Sequence, residues 1–158
     1  MSVTIRQGLP EELVASTSFL LKRLGYAAKE RAMAAYERED VHPYHHAILL
    51  ALAEGGHETQ GAIADALGYD RGQLVGLLDE LEERGLVERR RDTNDRRRHL
   101  VQMTADGKRK LRRLRALARE LEDDFLAPLG DAEREQLHGL LLKLAEKHEP
   151  RCAPYQPS

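Results

Sequence analysis

Cysteine is almost missing from the 158-residue chain; Cys152 is its single representative. An internal disulfide framework and a multi-cysteine zinc site are thereby excluded, and a reducing, cytoplasmic compartment is expected. Tryptophan is absent and aromatic residues make up only 4%. The core must be built from Leu, Ala, Val and Ile, which suits packed helices better than a β-sandwich. Long apolar runs are also lacking. The longest, Ala47 to Ala53, is far too short to span a bilayer. The start, Met1-Ser2-Val3-Thr4-Ile5-Arg6-Gln7, holds no apolar signal stretch. No membrane partner is expected. With 41% hydrophobic residues the sequence nevertheless folds, as one domain of ordinary size.

An excess of charge of either sign is missing too, since the net charge is −2. As a sum this argues against a nucleic-acid partner, but the sum hides a strong polarity. Arg84 to Arg115 holds 13 basic and 4 acidic residues, a balance of +9; the remaining 12 basic and 23 acidic residues give −11. A basic block between acidic flanks attracts a polyanion. A solvated helix face accounts for Lys108 to Arg115 but not for Arg89 to Arg98.

The periodicity is mainly helical. Pro10-Glu11-Glu12 opens a helix that the recurrence of Leu13, Val14, Leu20, Leu21, Leu24 and Ala28 extends as one element to about Glu37. His42-Pro43 restarts the chain, and Ala47-Ile48-Leu49-Leu50-Ala51-Leu52-Ala53 is apolar nearly all round, as in a central helix. Gly55-Gly56 stops it. Thr59 caps a short helix that ends at Gly68. Asp70 caps the next, with Gln73 in a capping-box position and Leu74, Leu77, Leu78 and Leu81 turned inward. After Gly85 the period changes. Leu86 to Arg89 and His99 to Met103 read as the strands of a hairpin, joined by the turn formers Asp92-Thr93-Asn94-Asp95. Thr104 caps a second long helix with the stripe Leu111, Leu114, Ala118, Leu121, Phe125. Pro128 and Gly130 end it, Asp131 caps a last helix, and Pro150 opens a tail.

Helix, tight turn, helix and basic hairpin together describe a winged helix-turn-helix. Such a helix fits the major groove, and an arginine-bearing hairpin tip suits the narrow, strongly negative minor groove. At this point the sequence resembles the MarR (multiple antibiotic resistance regulator) family from about Val41 to Leu111. The resemblance rests on His42-Pro43-Tyr44-His45, Ile63-Ala64-Asp65-Ala66-Leu67-Gly68, Leu77 to Arg89, Asp95-Arg96-Arg97 and Met103-Thr104-Ala105-Asp106-Gly107. It implies a mainly α fold with a small β-hairpin wing and three parts: a dimerisation helix (1–40), a DNA-binding lobe (41–104) and C-terminal dimerisation helices (105–149), followed by a tail (150–158). It further implies a homodimeric repressor of a palindromic operator in double-stranded DNA, released by a small lipophilic or phenolic effector.

Carried onto this chain, the family's wing motif falls on Asp95 and Arg97, with Arg97 in the minor groove and Asp95 orienting it. Arg96 and Arg98 then meet phosphates, and Arg89 and Arg91 join the DNA-facing set. The base-reading segment falls on Arg71, Gly72, Gln73, Val75 and Gly76. Arg71 suits guanine, Gln73 adenine and Val75 a thymine methyl. Gly72 and Gly76 depart from the polar or basic residues common there, and read either as close approach to DNA or as tolerated glycines.

Tyr26, Tyr44, His45 and His46, with Tyr36, are candidates for an effector pocket, although such tyrosines are more often half-buried packing residues with a wet hydroxyl. His42, His45, His46 and His57 invite a zinc site, with His42 and His46 four apart and Glu37, Glu39 or Asp40 available to complete it. Without a nearby cysteine, and with His42 suited to a helix cap, no metal site is expected. Cys152 reads as an incidental thiol. A nucleophile elbow, a P-loop, paired glycine signatures and a His-Glu metal motif are missing, so neither an enzyme nor a cofactor is expected. The competing class is a helical interaction module using the basic block against an acidic protein or membrane surface; a basic membrane helix would, however, be continuous.

Overall fold

The computed structural model describes residues 8–55 and 58–152. The first seven residues, Gly56, His57 and the end of the tail lie outside the described residues. Seven helices and one hairpin follow in the order α1 (Glu11–Val14), α2 (Thr17–Glu37), α3 (Pro43–Glu54), α4 (Gln60–Leu67), α5 (Arg71–Glu83), β1 (Val87–Arg91), β2 (His99–Met103), α6 (Ala105–Phe125) and α7 (Asp131–His148), with a 3-10 turn at Pro150–Cys152. Among the described residues no helix is long and apolar enough to cross a membrane.

Capping chemistry sets most boundaries. Side chains of His42, Thr59, Asp70 and Thr104 accept backbone N–H bonds at the starts of α3, α4, α5 and α6, at 3.0–3.1 Å. Each satisfies a donor that the first turn leaves unpaired. Two expectations need correcting. The first long helix is broken: Ser16 is extended (φ −86°, ψ 116°) and accepts from the Phe19 N–H, so α1 and α2 are separate. The last helix is capped one residue earlier than Asp131, because the Glu133 carboxylate accepts the Gly130 N–H at 2.8 Å.

The core gathers around α3. Ile48 and Leu49 are completely buried, and Ile63, Leu74, Leu78, Leu81, Val87, Val101, Leu111 and Leu114 enclose them from α4, α5, the hairpin and α6. β1 and β2 pair antiparallel from Val87↔Met103 to Arg91↔His99. The residues before α4 add a short extension, with a Thr59↔Leu100 bridge and a Val101 N–H to Glu58 carbonyl bond.

The wing is locked to the start of α6. Leu86 O accepts from Thr104 N at 3.0 Å, and Thr104 Oγ1 donates to Gly85 O at 2.6 Å. Gly107 is buried beneath this junction. A Cβ there would collide with the Leu86 carbonyl and lie 2.6 Å from Met103 Cγ. Neither backbone can yield without opening the junction. G107A is therefore expected to destabilise the fold by about 1–3 kcal/mol in urea unfolding, despite the better helix propensity of alanine.

Candidate nucleic-acid interface

Helices α4 and α5 are joined by a turn in which Gly68 is left-handed (φ 68°) and returns its N–H to Ala64 O. Asp70 then caps α5. Leu74, Leu78 and Leu81 anchor α5 inward, leaving Arg71, Gly72, Gln73, Val75 and Gly76 exposed on the opposite side. A Cβ on Gly76 would meet open space, and one on Gly72 would meet only Asp70 Oδ2 at 3.1 Å. Packing within the chain therefore does not require these two glycines.

The hairpin tip is ordered by its own carboxylates. Asp92 Oδ1 accepts the Asn94 N–H at 2.9 Å. Asp95 Oδ1 accepts both the Arg97 N–H at 3.1 Å and Arg97 Nε at 3.2 Å. The Arg97 side chain is 92% exposed, so Asp95 aims a guanidinium into solvent from a fixed turn. Arg91, Arg96 and Arg98 surround it, also exposed.

Arg89, expected among the DNA-facing residues, is engaged within the chain. It pairs through its terminal nitrogens with Asp79 and Glu82 of α5 and reaches Gln60 of α4; its side chain is 18% exposed. Strand alternation turns Arg89 with Val87 toward the helices while Arg90 faces away. The Glu82 carboxylate, bonded by Arg89, is held below its usual range. Arg89 thus sets the wing against α5 and offsets two carboxylates on it. The spacing of Asp79 and Glu82, three apart on one helix face, is the signal that could have revealed this.

The candidate pocket residues divide. Tyr26 and His45 line one cleft of about 720 Å³ with Met33, Asp40, Glu80 and Arg84. Tyr44 instead stacks on Tyr69 at 5.2 Å, and His46 Nδ1 bonds the Tyr36 hydroxyl at 2.6 Å. Neither Tyr44 nor His46 lines that cleft. Four of the histidine nitrogens considered for zinc bond within the protein, whereas His46 Nε2 is buried without a hydrogen-bond partner. His42 Nδ1 caps α3, His45 Nδ1 accepts the His42 N–H, and His45 Nε2 bonds Glu80 at 2.7 Å. Among the described residues no group of three or more potential ligands could hold a metal; His57 lies outside them.

Sequence reasoning missed how Asp40, Glu39 and Arg84 are used. Asp40 has φ 55°, and Arg84 Nε donates to its carbonyl at 2.9 Å. Glu39 accepts from Lys110 and Arg113 of α6, and this pairing with Arg113 keeps its carboxyl below the usual range. These bonds tie the α2–α3 connection to both α5 and α6.

Helix, turn, helix and an arginine-tipped hairpin in this arrangement define a winged helix-turn-helix DNA-binding protein. A sequence profile of the MarR family matches residues 39–98. A Thauera aromatica protein named for the transcriptional regulation of the hcr operon is 34% identical over 129 residues, covering 77% of this chain and 78% of its own. The solved structure of the transcriptional repressor CouR bound to a 23-mer DNA duplex is 32% identical, with a TM-score of 0.77, and covers 87% of this chain and 99% of its own. CouR from Rhodococcus jostii RHA1, bound to p-coumaroyl-CoA, is 27% identical with a TM-score of 0.70, covering 86% and 96%. The chain belongs to the MarR family of transcriptional regulators. The family and these relatives are regulators, not enzymes.

Burial pushes both His45 and His46 below the usual imidazole range. Glu80 partly opposes this at His45, where Arg84 and His42 add to it; Arg115 adds to it at His46. Both therefore bind protons more weakly folded than unfolded. The stability they contribute is complete above the unfolded value of about 6.5 and is lost as pH falls below it. Glu39 and Glu82 act only below about 4.5. Urea unfolding should show a loss of stability from pH 7.5 to 5.5, and an H45Q/H46Q variant should lose less over the same interval.

Proposed function

We propose that the chain is a ligand-responsive repressor that binds a palindromic operator as a homodimer. The observation that carries this reading is the Asp95–Arg97 pair, which presents a 92% exposed guanidinium from a turn fixed by Asp92 and Asp95. With the N-terminal half of α5 in the major groove, the wing reaches the adjacent minor groove, where Arg97 meets the most negative potential. Arg91, Arg96 and Arg98 contact phosphates, and Arg71, Gln73 and Val75 meet base edges.

The proposed three-part organisation, with arms at 1–40 and 105–149 around a lobe at 41–104, is supported by where apolar surface remains exposed. Leu13, Val14, Leu20, Leu21 and Leu24 at the N-terminal end, and Leu140, Leu141 and Leu144 on α7, are all at least 40% exposed in the single chain. An apolar surface of this kind marks an interface, and a second copy covers it in the proposed dimer. The effector, small and lipophilic or phenolic, occupies the cleft between α2, α3 and α5. There Tyr26 and Met33 offer an apolar wall, while Glu80 and Arg84 belong to the reading helix and its cap. An occupant that favours a different separation of the two lobes takes them out of register with successive major grooves, about 34 Å apart.

Two outcomes test this. R97A should weaken binding to a selected palindromic duplex by about 1–3 kcal/mol in fluorescence anisotropy while leaving the melting temperature unchanged. Wild-type affinity in that variant would remove the wing from the interface. L141D should shift the chain to monomer in analytical ultracentrifugation and lose operator binding with it; an unchanged dimer would place the interface elsewhere.

A further inference from the structure

The C-terminal segment comes back to the DNA-reading end of the molecule. Helix α6 has 21 residues and carries the chain about 31 Å away from the wing; α7, with 18, covers about 27 Å on its return. The 3-10 turn Pro150–Cys152 that follows lays Arg151 on the turn between α4 and α5. A Cβ on Gly68 would fall 2.6 Å from Arg151 Cζ, 2.8 Å from Nε and 2.9 Å from Nη1. The guanidinium therefore lies over the Gly68 position, in the space a side chain there would fill. The left-handed φ favours glycine at position 68, and the missing side chain leaves room for the guanidinium.

The charge is only lightly engaged. Arg151 Nη1 bonds Glu149 at 3.0 Å, with the two side chains 57% and 50% exposed. Such a surface pair is easily exchanged for a stronger anion. Arg71 follows Gly68 by three residues and is also exposed, so two cations distant in sequence flank the start of α5. A forked guanidinium matches phosphate geometry, and Arg151 keeps more than half of its side chain exposed where it lies.

We propose that Arg151 is a DNA phosphate contact, delivered by the C-terminal turn to the backbone beside the reading helix. This rests on the reading that α5 docks in the major groove. A phosphate contact adds affinity without sequence information and displaces about one counterion.

The test uses the full chain and a duplex selected by the wild type from a randomised pool, with a scrambled duplex alongside. Affinity is followed against salt for wild type, R151Q, R151K and R97A. R151Q should bind about three- to tenfold more weakly, equally on both duplexes, with a log–log salt slope shallower by about 1 and an unchanged melting temperature. R151K should recover most of the slope, because a point charge still displaces a counterion. An R151Q variant with wild-type affinity and slope overturns the proposal. So does a loss confined to the selected duplex at unchanged slope, which would make Arg151 a brace for the turn. If R97A also binds as wild type does, or the wild type does not bind, the parent reading has failed and this proposal falls with it.

Discussion

Helix α3 is apolar on nearly every side, and that constraint organises the molecule. A helix with no polar face must be enclosed. Ile48 and Leu49 are enclosed completely, by α4, α5, β2 and α6, with Tyr36 and Val41 closing the side toward α2. Emptying one such site costs about 2–5 kcal/mol when leucine becomes alanine, whereas an exposed ion pair contributes about 0–1 kcal/mol. Cohesion therefore comes from α3 and its surroundings. The many charged pairs at the surface mainly decide where elements sit relative to one another.

That division changes the meaning of the basic block. Its +9 is not all directed outward. Arg84 is committed to Asp40, Arg89 to Asp79 and Glu82, Arg109 to Asp106, and Lys110 and Arg113 to Glu39. The basic side chains without carboxylate partners near the hairpin are Arg90, Arg91, Arg96 and Arg98 among the described residues, with Arg97 only lightly held by Asp95. Near the hairpin the cationic surface available to a polyanion is concentrated at the wing tip, while Arg84, Arg89, Lys110 and Arg113 tie elements of the lobe together. A net charge summed along sequence cannot separate the two uses, since the acidic partners come from the α2–α3 connection, α5 and the first turn of α6.

What was legible in sequence was whatever obeyed a local rule. His42, Thr59, Asp70 and Thr104 cap the helices they were expected to cap, because capping needs only one side chain and the next turn. The hairpin was visible from the change of period after Gly85, and the wing motif from Asp95 and Arg97. The break at Ser16 was hidden because apolar residues recur on both sides of it, so periodicity carried straight across. The Thr59–Leu100 bridge was too short to produce an alternation. Asp40 was invisible for a different reason: a left-handed aspartate is tolerated, but the Arg84 bond that holds it comes from 44 residues away. Arg89 shows the same limit, since its role is set by which face of β1 meets α5.

The α2–α3 connection gathers these non-local bonds in one place. Glu39 is bonded from α6, Asp40 from the cap of α5, and both follow directly on the long helix α2. Asp40 has a positive φ that aspartate tolerates better than most residues, and the Arg84 bond to its carbonyl joins the turn bonds that fix it. Asp40 and Arg84 also line the cleft that Tyr26, His45 and Glu80 share. Any displacement of α2 against the lobe must move Asp40, and Asp40 is bonded to the residue that ends α5. Under the proposed function, this gives an occupant of the cleft a short physical route to the reading helix: a bond at 2.9 Å between the Asp40 carbonyl and an arginine at the helix end. The route needs no change in the α3 core, whose close packing resists deformation. The lobe can then turn as a rigid body about this connection, which is the kind of motion that alters lobe separation without unfolding either part.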